Sequence, residues 1–91
     1  MDLEMLPGYE YVQPGIEDLG RGVESVAALL VSIGAQRLRR LGLPVPEGVL
    51  PSPEHRLYEL LRREGEDSAH SRYNALIRRL VSFERAAECE S

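Results

Sequence analysis

Two histidines, one cysteine and an array of carboxylates and arginines are the residues of this chain able to do chemistry, and their spacing decides which could act together. His55 and His70 lie in separate segments, no His-x-x-x-His or Glu-x-x-His pair occurs, and Cys89 stands far along the chain from both. Glu64, Glu66 and Asp67 cluster around a glycine but lack the alternating oxygen-ligand loop that calcium requires. These patterns predict neither a metal nor a cofactor. Ser71 follows His70 directly, and consecutive helical residues point about 100° apart, so they do not make a nucleophile–base pair. The polar cluster that remains is Arg63, His70, Asn74 and Arg78. The last three share one side of a helix at successive spacings of four, and Arg63 stands across the preceding turn. It reads first as a solvated helix flank, next as a protein contact, and last as a His/Arg/Asn catalytic site.

Arginine supplies all 11 basic residues. Arg37, Arg39, Arg40, Arg78 and Arg79 form the candidate phosphate-contacting patch, since guanidinium groups can hold backbone phosphates. The formal charge of −4 opposes a dedicated nucleic-acid binder. Residues 1–30 carry one arginine against six acidic residues, residues 31–63 six against three, and residues 64–91 four against six. A basic middle thus lies between acidic ends, and pairing within the molecule explains it as readily as a ligand does. No GxxxxGK[ST] phosphate loop is present.

The elements that must position these groups are helical. Val23 to Leu41 is the most apolar stretch: Val23, Ala27, Leu30, Gly34, Leu38 and Leu41 recur at threes and fours, and Val26, Leu29 and Ile33 widen that face. Gly34 on the inner stripe predicts a close helix crossing or a kink. Gly20 and Gly22 either weaken the start of this helix or separate a short turn from it. Gly42 and Pro44 end it. Before it, Pro7-Gly8 and Pro14-Gly15 predict an arm lying across the helices. After it, GLPVPEGVLP from Gly42 reads as an apolar, ordered strap. Ser52-Pro53-Glu54 is the cleanest helix start in the chain, with Ser52 as N-cap. Asp67 or Ser68 caps a third helix, whose seam is Ala69, Tyr73, Leu76, Leu80, Phe83 and Ala87.

The expected fold is therefore all-α, a small antiparallel three-helix bundle in one domain. Its arm is residues 1–14, its helices 15–41, 52–64 and 68–88, and its proline-rich strap joins helices 1 and 2. A chain of 91 residues buries only about 60–65% of its unfolded surface. Ala28, Leu29, Val31 and Ile33 are accordingly the candidate association surface, with a second copy or another subunit as partner. The functional expectation is a small non-catalytic interaction or assembly domain, with an arginine-mediated nucleic-acid accessory protein as the alternative and an enzyme third. No apolar run of about 18 residues predicts a membrane span, and a lone thiol suits a reducing compartment such as the cytoplasm.

Overall fold

The computed structural model describes residues 3–90. It is an all-α domain, but not a three-helix bundle. Five α-helices follow one another: α1 (Tyr9–Gly20), α2 (Val26–Ile33), α3 (Ala35–Arg40), α4 (Pro53–Glu64) and α5 (Ala69–Glu90). Short 3-10 turns at Leu3–Met5 and Glu66–Ser68 precede α1 and α5.

The first correction concerns the arm. Residues Tyr9 to Pro14, expected as part of an arm lying across the helices, are helical, and Pro14 lies inside α1 rather than at its start. The first two arm positions lie outside the described residues. Val12 and Leu19 are buried, with Tyr9 and Ile16 half-buried beside them. That is a 3.6-period stripe, and its burial outweighs the backbone hydrogen bond that an internal proline removes.

The second correction concerns the long central helix, which the chain breaks twice. At Arg21–Ser25 it turns back, so that α2 lies against α1, its most extensive partner. Gly15 permits this approach: a Cβ there would overlap the Ala27 carbonyl oxygen and stand 2.5 Å from Val31 Cγ2. At Gly34 the backbone departs from helical geometry (φ −96°, ψ 13°), and α3 begins directly after it. A Cβ at Gly34 would sit 2.8 Å from Glu84 Oε2 and 3.1 Å from both Leu80 methyls. The glycine therefore marks both a break and a close approach to α5, the two outcomes its position predicts.

Ala28 to Ser32 of α2 are all buried, enclosed by α1, α4 and α5. Leu57 and Leu61 of α4 and Leu80, Phe83 and Ala87 of α5 complete the core. The strap is ordered as expected. Leu43 and Val45 are buried, Arg39 donates to the carbonyls of Val45 (3.4 Å) and Pro46 (2.5 Å), and Leu50 N–H donates to Ser32 Oγ at 3.2 Å. Gly42 ends α3 at φ 93°, the left-handed conformation expected of it. At the α4–α5 corner Ser68 Oγ donates to the Gly65 carbonyl, a turn contact rather than a cap on α5.

Candidate functional site

The polar cluster near the α4–α5 corner does not converge. His70 Nε2 and Asn74 Nδ2 are 3.2 Å apart on the exposed side of α5, a local i,i+4 contact. Arg63 is exposed on α4 and lines a small cleft with Glu24, His55 and Glu59; none of His70, Asn74 or Arg78 borders that cleft. Arg63 thus borders a different cleft from the His70–Asn74 contact, which is not the convergence that general acid–base chemistry needs.

The arginine patch is largely occupied by the protein itself. Arg37 binds Glu88 at 2.8 Å and Glu84 at 3.4 Å, Arg39 holds the strap, and Arg79 lies 3.6 Å from Glu10. Arg40 and Arg78 have no partner of this kind among the described residues. Among the described residues carboxylates pair with Arg21, Arg37, Arg56, Arg62, Arg72 and Arg79, and of these Arg37, Arg56 and Arg62 join the basic middle to the acidic ends.

The proposed association surface is interior. Ala28, Leu29 and Val31 are 0% exposed and Ile33 is half-buried against the core. Sequence periodicity located the apolar excess correctly. α1 packs over this stretch of α2 and encloses Ala28, Leu29 and Val31 within the chain.

A feature the sequence did not single out is a groove of about 530 Å³ along the flank of α1 beside its buried stripe. Its apolar lining comes from three separate segments: Leu3 of the N-terminal turn, Tyr9 and Ile16 of α1, and Leu43 with Pro44 of the strap. Tyr9 is fixed from behind by Phe83, their ring centroids 6.4 Å apart. Gly42 and the polar residues Glu4, Gln13 and Glu17 complete the lining, and no arginine contributes. Gln13 donates to Glu17 Oε1, orienting a carboxylate along the rim. Met5, next in the N-terminal turn, is 80% exposed. The groove became visible only with α1 in place. Its one sequence signal is the set of apolar residues in the arm and strap that exceeds what the helix seams require.

Glu84 is the only buried charged residue among those described, 4% exposed in the seam between α3 and α5. Burial raises its pKa above the ordinary carboxylate value, Arg37 opposes the rise, and Glu88 adds to it. With one guanidinium serving two carboxylates, the arrangement fastens α3 to α5, beside an open cleft of about 590 Å³ that Glu84 lines together with Arg37, Arg39 and Arg40.

Among the described residues no group of three or more His, Cys, Asp or Glu side chains could hold a metal ion, and no helix is long and apolar enough to cross a membrane. Comparison with protein-family models, curated proteins and solved structures finds no match to this chain.

Proposed function

We propose that this chain is a non-catalytic protein-interaction domain that takes an apolar, positively flanked segment in the groove between the N-terminal turn, α1 and the strap. The observation that carries this reading is the composition of the lining: Leu3, Tyr9, Ile16, Leu43 and Pro44 form the floor, and Glu4 and Glu17 are its only charged residues. Apolar floors with a few placed polar groups are the usual build of a binding cleft, and a volume of about 530 Å³ falls in the usual range for such clefts. The carboxylates select against an acidic segment and favour arginine or lysine beside the inserted side chains. A free, exposed Cys89 suits such a domain in a reducing compartment such as the cytoplasm.

The test is a titration of isotope-labelled protein with a synthetic leucine-rich peptide flanked by arginines, followed by amide chemical shifts. Shifts concentrated at Leu3, Ile16 and Leu43, absent with a glutamate-flanked peptide, support the groove. Glu17 is exposed, so Glu17→Arg should leave the fold intact and weaken binding of the arginine peptide. Light scattering of the free chain over a concentration series addresses the other occupant: a dimer lost in the same variant assigns the groove to a second copy. Shifts scattered over the surface, or none with either peptide, overturn the reading.

A further inference from the structure

We infer that the outward face of α5 contacts the phosphate backbone of a nucleic-acid duplex, independently of the groove. Ser71, Asn74, Arg78, Ser82 and Arg85 are all exposed and share the side of the helix opposite its buried seam. Arg78 and Arg85 have no hydrogen-bond or ion-pair partner among the described residues, unlike Arg37, Arg56, Arg62, Arg72 and Arg79. From Ala69 to Phe83 the helix contains no acidic residue. The two free guanidinium groups are two turns apart, about 10 Å along the axis, and the face from Ser71 to Arg85 runs about 21 Å.

The composition of this face selects the partner. Arginine, serine and asparagine are phosphate-contacting side chains, and their hydrogen bonds position a helix on a backbone without reading bases. Arginine can anchor a protein interface too, but a protein partner would also bury aromatic or aliphatic side chains, and none of the five residues supplies one. A single strand would need an exposed ring to stack on. Tyr73, the tyrosine of this helix, packs edge-on against Tyr58 at 5.8 Å instead. The formal charge of −4 weakens long-range attraction, but residues 1–30 hold six of the acidic side chains and the outward face of α5 holds none before Phe83. Arg72 and Arg79 flank the face in exposed pairs with Glu64 (2.9 Å) and Glu10 (3.6 Å). Such pairs contribute at most about 1 kcal/mol, so a phosphate can displace the carboxylate.

Fluorescence anisotropy of labelled, mixed-sequence duplex DNA and duplex RNA at low salt tests the inference on the full chain. Binding should weaken with salt along a log–log slope of about −2 to −4, for two to four neutralised phosphates. The double variant Arg78→Gln/Arg85→Gln should melt like the wild type and bind about tenfold or more weakly, with a shallower slope. The inference is overturned if no duplex binds at low salt or if the double variant binds as the wild type does. It is equally overturned if a single strand binds more tightly, or if polyglutamate competes as well as the duplex, the mark of an acidic protein partner.

Discussion

The α1–α2 turn and the strap each deliver the chain into a helix through a serine, and only one of these two serines caps. At the α1–α2 turn Ser25 has extended backbone angles, its Oγ accepts from Ala28 N–H at 3.1 Å, and the hydroxyl donates to Asp18 Oδ2 at 2.6 Å. One side chain thus ties the end of α1 to the start of α2, and Val23 N–H reinforces the turn by donating to the Asp18 carbonyl at 2.8 Å. At the end of the strap Ser52 sits in the left-handed region (φ 45°, ψ 51°) and its side chain caps nothing. That connection is held from outside instead, by Arg39 on the Val45 and Pro46 carbonyls and by Ser32 Oγ on Leu50 N–H. A serine-proline-glutamate signature locates where a helix begins. It does not say what satisfies the first backbone donors, because that depends on the direction from which the chain arrives.

The tight connection should be the fragile one. Gly15→Val places a branched side chain where α1 and α2 nearly touch, with a backbone carbonyl that cannot move aside. Overpacking of this kind should cost at least about 3 kcal/mol and leave much of the chain unfolded. Urea denaturation followed by circular dichroism measures it; a loss under about 1 kcal/mol would mean that the hairpin does not close as described. Ser25→Ala removes the cap and frees Asp18, for an expected loss of about 1–2 kcal/mol. Asp18→Ala made in the same background should then add little, since the two side chains act as one contact. Full additivity in that double-mutant cycle would refute the coupling.

The same contrast explains what could be read from the sequence. The start of α4 at Pro53, its end before Gly65 and the seam of α5 were legible because each stands on local signals: a first-turn proline, a glycine stop, a 3.6-residue repeat. The helical state of Tyr9–Pro14 was not. Two proline–glycine pairs signalled turns locally, while the stripe Val12, Ile16 and Leu19 acquires its worth only when α2 folds back over it. The division of Val23–Leu41 into two helices was equally a tertiary effect, since its apolar repeat runs through Gly34 without interruption and the break answers to Leu80 and Glu84. The site followed the same rule. Apolar excess at Ala28–Ile33 was visible, but the segment that covers it came from the misread arm, and the groove drew its walls from three places at once.

On the strap side the next effect is a slope rather than an offset. Burial holds Glu84 above the ordinary carboxylate range, against the pull of Arg37 on α3 and with the push of Glu88 on α5. Between the ordinary value and the raised one, the folded chain keeps a proton that the unfolded chain has released. The contribution of Glu84 therefore favours folding on the acid side and is lost as pH rises through the raised value. Glu84→Gln keeps an oxygen for Arg37 and removes the titration, so its urea midpoint should fall less than that of the wild type as pH rises from mild acid to neutral. Parallel midpoint–pH curves for the two proteins would show that Glu84 is not desolvated in the α3–α5 seam.

The smallest effect belongs to Ser52. Its hydroxyl caps nothing, so Ser52→Ala should change stability by less than about 0.5 kcal/mol, in contrast to the same substitution at Ser25. A non-glycine residue held at φ 45° carries backbone strain of order 1 kcal/mol. Glycine relieves that strain but adds freedom to the unfolded chain, a loss of about 0.5–1 kcal/mol. Ser52→Gly should therefore leave stability level or raise it by about 0.5 kcal/mol. If Ser52→Gly instead destabilises as much as Ser25→Ala, the hydroxyl has a partner at α4 after all, and the two connections are held by the same device.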